Sequence, residues 1–319
     1  MAPAPDTRLL VIALGGNAIL RRGDDGTIGT QFQRADESMR ALVPLIARGD
    51  RIILTHGNGP IVGNIVIRNE AARDLIPPMP LYIADADSEG GIGFMLETSL
   101  TNALSAAGID RRVVTVVTRC VVDDKDPAFS RPTKPIGPYF TPQEAERLAR
   151  TEGWVFTEVP GAGMRRVVAS PLPIEVIEAP TIFQLAAAGD VVIAAGGGGV
   201  PVVRRQDGTL AGVDAVIDKD WASAVLGEAV GADNLVVLME ADRVYESFGT
   251  PDARPLDVLT VADAEQLLPR LDPGSVGPKV AACAHFVRTT GRDAVICSAE
   301  HIHDALAGQA GTRITAALR

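Results

Sequence analysis

The chain has 319 residues, of which 46% are hydrophobic and 22% are charged, and its formal net charge is −10 at pH 7. Such a length and composition are typical of a globular protein with one large or two modest domains, and they exclude disordered and fibrous classes. The acidic balance disfavours nucleic-acid backbones and anionic membrane surfaces as partners, so a phosphate-bearing ligand would need local hydrogen-bond donors.

The first residues give no sign of export. The segment MAPAP lacks the basic and apolar regions of a secretory signal, and glycines interrupt the apolar run LLVIAL before it could cross a bilayer. We expect a disordered stretch at residues 1–7 and a soluble, cytoplasmic protein. A reducing compartment fits the few, scattered cysteines, which form neither a disulfide framework nor a zinc pair: Cys120, Cys283 and Cys297.

Short apolar runs recur along the chain, and a helix-like stretch follows each of them. Their β-branched content and abrupt ends are typical of parallel strands buried on both faces. The alternation predicts an α/β fold, with helices on both faces of a mostly parallel sheet and ligands at the carboxyl ends of the strands. The runs are RLLVIALGG, RIILTHGNG, RRVVTVVTR, DVVIAAGGGG, NLVVLME and DAVICSAE, and the helix-like segments include residues 32–48 and 93–107.

Residues 123–166 interrupt this alternation with a proline-rich segment that begins without a periodic apolar pattern. We expect it to protrude from the sheet. Long excursions inside a domain are often functional, although a solvated loop is the open alternative.

Three glycine-containing turns follow predicted strands. Glycine lets backbone N–H groups approach an anion closely, and a helix amino terminus adds a positive dipole end. Each turn alone could be structural, but three at one sheet edge favour a phosphate site. No Walker motif, dinucleotide fingerprint or protein-kinase signature accompanies them. The three turns are Gly15, Gly16 and Asn17; Gly57, Asn58 and Gly59; and Gly196, Gly197, Gly198 and Gly199.

Lysine is rare in this chain. Only four of the 30 basic residues are lysines, at positions 125, 134, 219 and 279. Compact ammonium groups suit phosphoryl transfer, in which cations neutralise the migrating group. Lys219 lies between Asp218 and Asp220, and one of these carboxylates could hold neighbouring ammonium groups in place. The alternative is a polar helix start with Asp218 as its N-cap. Lys279 is predicted to open a helix after Gly277 and Pro278.

At these residues the sequence resembles the carbamate kinases of the amino acid kinase superfamily. The matching segments run in the family order over nearly the whole chain: ALGGNAI (13–19), HGNGP (56–60), RPTKPIGP (131–138), AAGGGGVPVV (194–203), GVDAVIDKD (212–220) and GPK (277–279).

The resemblance implies an open αβα sandwich with an acid-binding lobe (8–213), a protruding subdomain (about 123–166) and a nucleotide-binding lobe (214–319). It also implies a homodimer and transfer of a phosphoryl group between ATP and carbamate, with Mg²⁺ held through the nucleotide phosphates rather than by protein ligands. The catalytic positions fall on Lys134, Lys219, Asp220 and Lys279. The nucleotide-binding positions that the resemblance implies are Glu240, Asp242, Tyr245, Gly277 and Pro278.

Several positions depart from the family pattern. Ile61 replaces the glutamine of the family pattern. In the segment YIADADSEG, four residues differ in type from those of the family: Tyr82, Ala84, Asp87 and Glu89. Two added carboxylates would repel a small anion. We therefore keep two alternatives open: a kinase for another small carboxylate or carbamate-like acid, and a nucleotide-binding regulatory protein without turnover. Asp87 and Glu89 could face an acceptor with a cationic or larger group, or cap a helix that begins near Gly91 and point to solvent.

Overall fold

The computed structural model describes residues 7–21, 23–272 and 274–317. Apart from Thr7, the predicted disordered start lies outside these residues. The helices are α1 (Ile28–Arg40), α2 (Val43–Ala47), α3 (Gly59–Ala72), α4 (Leu81–Ala106), α5 (Pro127–Ser130), α6 (Pro142–Glu152), α7 (Ala179–Ala187), α8 (Lys219–Ala229), α9 (Val261–Leu267), α10 (Val276–Thr290) and α11 (Ile302–Leu306).

The strands are short and alternate with the helices in the first and last thirds of the chain. They are β1 (Leu9–Leu14), β2 (Arg51–His56), β3 (Val113–Thr115), β4 (Arg119–Val122), β5 (Lys134–Phe140), β6 (Val155–Val159), β7 (Gly163–Val168), β8 (Pro173–Val176), β9 (Val191–Ile193), β10 (Val200–Arg204), β11 (Leu210–Gly212), β12 (Asn234–Leu238), β13 (Val244–Glu246), β14 (Arg254–Leu256), β15 (Val258–Thr260), β16 (Ala294–Cys297) and β17 (Thr312–Thr315).

An eight-stranded central sheet has the order β15-β17-β16-β12-β1-β2-β9-β3. All neighbouring pairs are parallel except β16 and β17. The α/β class and the mostly parallel sheet are therefore confirmed. The sheet takes strands from both sides of the predicted lobe boundary at residue 213, and that division stays a prediction.

Hydrophobic side chains cover both faces of this sheet. In β1, Leu9, Val11 and Ala13 join one core, whereas Leu10, Ile12 and Leu14 join the other. A strand has a side-chain period of two, so a run that is apolar at every position must be buried on both faces. The three cysteines lie in these cores with free, buried thiols: Cys120, Cys283 and Cys297.

The proline-rich segment contains ordered structure. β5, β7 and β6 form an antiparallel three-stranded sheet, and α6 begins with a capping box at Thr141 and Glu144. Phe140 and Phe156 pack against Trp154, and the Arg166 guanidinium lies 3.8 Å from the centre of the Trp154 ring. A separate aromatic cluster therefore supports this small sheet.

Two helix predictions need correction. The predicted helix at 32–48 is two helices, α1 and α2, with Pro44 in the first turn of the second. α4 begins at Leu81, about ten residues before Gly91, because Asp214 Oδ1 accepts the Leu81 N–H at 2.9 Å and fixes the first turn. Asp87 and Glu89 thus lie inside a helix and do not cap one. Within the described ranges, no helix has both the length and the apolar character to cross a bilayer.

Candidate active site

Asp220 holds two lysines together. Its Oδ1 accepts from Lys219 Nζ at 2.5 Å, and its Oδ2 accepts from Lys279 Nζ at 3.2 Å. The Asp220 residue is only 2% exposed. Burial alone would raise the pKa of this carboxyl, but the two adjacent ammonium groups lower it below its ordinary value. Asp220 is therefore ionised and fixes both cations in one place, although Lys279 is 59 residues away in the chain.

Helix starts position these charges. Asp218 is the N-cap of α8, and its Oδ1 accepts the backbone N–H groups of Asp220 and Trp221. The other oxygen, Oδ2, accepts from Lys134 Nζ at 3.1 Å. The two interpretations of the Asp-Lys-Asp sequence are thus compatible, because Asp218 caps α8 while Asp220 binds both Lys219 and Lys279.

The three predicted glycine turns meet beside this cluster. A Cβ atom on Gly57 would lie 3.3 Å from Gly16 N and 3.6 Å from Lys219 Cδ. A Cβ atom on Gly197 would lie 2.2 Å from Asn58 Nδ2. Gly197, Gly198 and Gly199 also have positive φ angles, which other residues rarely adopt. Glycine is therefore required here both for backbone conformation and for close approach. The Asn17 side chain lies outside the described part of the structure.

His56 and Glu89 lie beneath the glycine turn at 196–199. His56 Nδ1 donates to Gly57 O at 3.2 Å, and burial lowers the pKa of this imidazole to about 4, so the ring is neutral. Glu89 Oε1 accepts the Gly196 N–H at 2.8 Å, and Oε2 accepts the Thr118 N–H at 3.1 Å. Burial raises the pKa of Glu89 to about 8. Glu89 thus connects α4 to the glycine turn through backbone groups.

The other two predicted specificity positions lie elsewhere. Asp87 is exposed on α4, and Ile61 packs against the core that contains Leu10 and Ile12. Sequence reasoning missed Asp85, which is 2% exposed and accepts from Asn58 Nδ2 at 3.3 Å. Asp85 precedes Ser88 by three residues and Glu89 by four. This spacing is the sequence signal that would have placed the three side chains on one face of a helix.

A cleft of about 640 Å³ opens at the carboxyl ends of β1, β12 and β16. Two residues predicted for the nucleotide, Glu240 and Asp242, line it together with Gly15. Tyr245 lies next to them, because its hydroxyl donates to Asp242 Oδ1 at 2.9 Å. Gly277 and Pro278 lie in the first turn of α10 beside Lys279. Further lining residues are Leu14, Arg21, Glu37, Met239, Ser298 and His301.

The sequence pattern of the amino acid kinase family matches residues 8–298. The chain therefore belongs to this family.

Within the family, its relatives include carbamate kinases. The carbamate kinase of Pyrococcus horikoshii is 42% identical over 310 residues, which cover 96% of this chain and 98% of the relative. The carbamate kinase-like protein YqeA of Escherichia coli is 44% identical over 314 residues, covering 97% and 99%. The structure of carbamate kinase from Giardia lamblia bound to AMP-PNP superposes with a TM-score of 0.92 at 37% identity, covering 97% of this chain and 99% of that one.

Proposed function

We propose that this protein is a carbamate kinase, which interconverts ATP plus carbamate with ADP plus carbamoyl phosphate. The observation that carries the proposal is the capture of Lys219 and Lys279 by buried Asp220, next to glycine turns at the carboxyl edge of the sheet. The near full-length similarity to carbamate kinases supports the choice of acceptor.

The proposed chemistry needs little from the protein beyond position and charge. A carbamate oxygen attacks the terminal phosphorus of ATP, a P–O bond forms to carbamate, and the bond to the bridging oxygen breaks to leave ADP. Carbamate is already an anion, so no general base is required. Lys219 and Lys279 neutralise the negative charge on the migrating group, and backbone N–H groups of the glycine turns bind its oxygens. Lys134 approaches from β5 on the acceptor side.

Magnesium fits this arrangement as a partner of the nucleotide. Among the described residues, no group of three His, Cys, Asp or Glu side chains is placed to bind a metal ion. We propose that Mg²⁺ binds through the nucleotide phosphates, where it neutralises charge. Glu240, Asp242 and Tyr245 border the cleft proposed for the nucleotide. We also propose that the protein is cytoplasmic and forms a homodimer.

A coupled assay tests the function. The protein is incubated with Mg²⁺, ADP and carbamoyl phosphate, and ATP formation is measured over time. We expect ATP to form, and to depend on both Mg²⁺ and carbamoyl phosphate. Nucleotide binding without ATP formation would contradict carbamate as the acceptor and favour another small acid or a regulatory role.

A further inference from the structure

Asp218 uses its two carboxylate oxygens for different contacts. Oδ1 accepts the first-turn N–H groups of Asp220 and Trp221, whereas Oδ2 accepts from Lys134 Nζ at 3.1 Å, 84 residues away in the chain. Serine and asparagine cap a helix about as well as aspartate does, so the cap alone does not require a carboxylate. What aspartate adds at this position is the second oxygen and its charge.

The other helix N-caps support this distinction. In the helices α1, α6 and α9 a single threonine hydroxyl accepts a first-turn N–H: Thr27, Thr141 and Thr260. Asp126 caps α5 through Oδ1, and its Oδ2 accepts the Leu172 N–H at 3.1 Å. Among the described N-caps that bond through a side chain, aspartate therefore occurs where a second oxygen holds a distant segment.

Apolar packing brings Lys134 to the start of α8. Ile136, two residues further along β5, and Val216, two residues before Asp218, belong to one buried cluster. The Ala169 carbonyl also accepts the Val216 N–H at 2.9 Å, close to the end of β7. Residues two apart in a strand share a face, so Lys134 projects from the same face as Ile136. These contacts fix the strand, and the ion pair then fixes the end of a flexible side chain.

Asp218 also balances charge. Three ammonium groups, those of Lys134, Lys219 and Lys279, pair with two carboxylates, Asp218 and Asp220, at the amino terminus of α8. This terminus is itself the positive end of the helix dipole. Without Asp218, Lys134 would approach these like charges with no counter-ion. The Lys134 and Asp218 side chains are 36% and 22% exposed, so an anion from solvent can reach the pair.

We propose that Asp218 is a positioning residue that holds the Lys134 ammonium beside the lysine cluster, ready to bind the anionic substrate. This inference rests on the proposed function. Asp218 does not touch the reacting atoms, but it spares the reaction the cost of ordering a flexible lysine. Its loss should lower kcat more than it weakens substrate binding, because removal of a carboxylate leaves the site more positive towards an anion.

The kinetic test uses Asp218→Asn, which keeps the cap and removes the charge. Asp124→Asn, which removes one exposed carboxylate outside the site, is the matched control. The kcat and KM for carbamoyl phosphate are measured with Mg²⁺ and ADP. We expect Asp218→Asn to lower kcat about tenfold or more, with KM for carbamoyl phosphate unchanged or lower, and Asp124→Asn to match wild type. A kcat of Asp218→Asn within threefold of wild type would overturn the proposal.

A structural role of Asp218 would give a different pattern. The Tm of Asp218→Asn should stay within about 2 °C of wild type, because the cap is retained. Asp218→Ser, a second capping variant, should show the same loss of kcat and decides the test if Asp218→Asn is less stable. Equal kcat in Asp218→Ser and wild type would show that the carboxylate is not needed.

A double-mutant cycle asks whether Asp218 acts through Lys134. In the Lys134→Ala background, Asp218→Asn should change kcat by less than about twofold, because the side chain that it positions is gone. If the losses of the two single variants multiply in the double variant, Asp218 acts independently of Lys134 and the proposal is wrong.

Lysine acylation tests the contact without turnover. The protein is treated briefly with N-hydroxysuccinimidyl acetate, and mass spectrometry gives the acylation rate of each lysine. An ammonium group bound to a carboxylate reacts more slowly than a free one, so we expect Asp218→Asn to acylate at Lys134 about two- to fivefold faster than wild type, as for an accessible ion pair. Exposed Lys125 is the internal control and should react equally in both proteins.

The two failures are distinguishable. If no ATP forms from carbamoyl phosphate, the proposed function fails, while faster acylation at Lys134 still supports the hold of Asp218 on this side chain. Equal acylation rates at Lys134 in wild type and Asp218→Asn would overturn the role of Asp218, whatever the activity of the wild-type protein.

Discussion

In the proposed mechanism, single side chains carry the charge that phosphoryl transfer requires, and Lys219 and Lys279 are the clearest of them. Their ammonium groups share one buried carboxylate, so they are held in place before any substrate binds. Preorganised cations are most effective where charge develops in the transition state. Their removal should therefore affect turnover more than substrate binding.

We expect Lys219→Ala and Lys279→Ala each to lower kcat by about 100-fold or more, the size typical for loss of one transition-state donor. Steady-state kinetics of ATP formation from carbamoyl phosphate measures the effect. Lys125→Ala, a change at an exposed lysine, is the control and should match wild type. Activity within threefold of wild type in either active-site variant would contradict the assigned role.

Asp85 also affects stability as a function of pH. Because its pKa is raised to about 8 in the fold from 3.8, the native state binds a proton that the unfolded chain releases. Its contribution to stability is complete below about pH 4 and is lost as the pH rises towards 8. As the pH rises, the free energy of unfolding of wild type should thus fall relative to that of Asp85→Asn, by at most about 1.4 kcal/mol per pH unit.

Urea unfolding at one-unit steps from pH 5 to 9 measures this difference. Asp87→Asn should follow wild type throughout, because Asp87 is exposed. A constant gap between Asp85→Asn and wild type would show that Asp85 titrates alike in the folded and unfolded chains.

Among the elements, the glycine turn at 196–199 connects the site to the sheet most directly. A Cβ atom on Gly198, which has a φ of 99°, would lie 2.5 Å from the backbone oxygen of Ile217. That oxygen lies two residues before Lys219. The collision cannot be relieved by rotation of a side chain, so the segment that leads into α8 would have to move.

We expect Gly198→Ala to destabilise the protein by more than about 2 kcal/mol and to lower kcat, because it combines an unfavourable φ with an overlap. Gly208→Ala is the matched control, since Gly208 has a φ of 83° with no atom within 4 Å of a Cβ. It should cost about 1–2 kcal/mol, the strain of a left-handed residue alone. Urea unfolding compares the two. Equal losses would mean that the overlap carries no cost.

The sequence predicted the strands better than the helices. Runs such as LLVIAL are apolar at every position, and only a sheet covered on both faces explains them. The start of α4 was missed because Gly90, Gly91 and Gly93 lower helix propensity in its interior. The structure gives the reason for one of them: a Cβ atom on Gly93 would lie 2.2 Å from Thr115 Cγ2, so close packing against β3 requires glycine.

The candidate site was predictable where its residues adjoin in sequence. Lys219 and Asp220 are neighbours, and a helix start at Asp218 was visible from residue types alone. The burial of Asp85 was not predictable, because it depends on the rotation of α4 and on contacts with Asn58, 27 residues away. Asp87 was chosen instead, although it lies on the exposed side of the same helix.

In the molecule as a whole, a charged contact links the small sheet of the proline-rich segment to the start of α8, beside the apolar packing of that sheet on α3. Lys134 at the start of β5 meets Asp218 at the start of α8, with the Lys134 side chain 36% exposed. Ion pairs this accessible contribute only about 0–1 kcal/mol to folding. We therefore expect this contact to position the Lys134 charge and to add little to the stability of the fold.

Lys134→Ala should accordingly change the free energy of unfolding by less than about 1 kcal/mol while lowering kcat/KM for carbamoyl phosphate at least tenfold. Lys134→Arg should not restore activity, because a planar guanidinium cannot replace a compact ammonium. Urea unfolding and kinetics on the same preparations measure both quantities. Unchanged kinetics in Lys134→Ala would assign the proline-rich segment to another task.

The buried thiols can serve as chemical probes of local unfolding. Burial raises the pKa of Cys120, Cys283 and Cys297 well above the ordinary value, so the nucleophilic thiolate scarcely forms while the cores are closed. Two of these cysteines lie on one side of the central sheet and Cys297 on the other. Alkylation followed by mass spectrometry would thus show which thiols become accessible first under destabilising conditions. It would therefore identify the face of the central sheet that unfolds locally first.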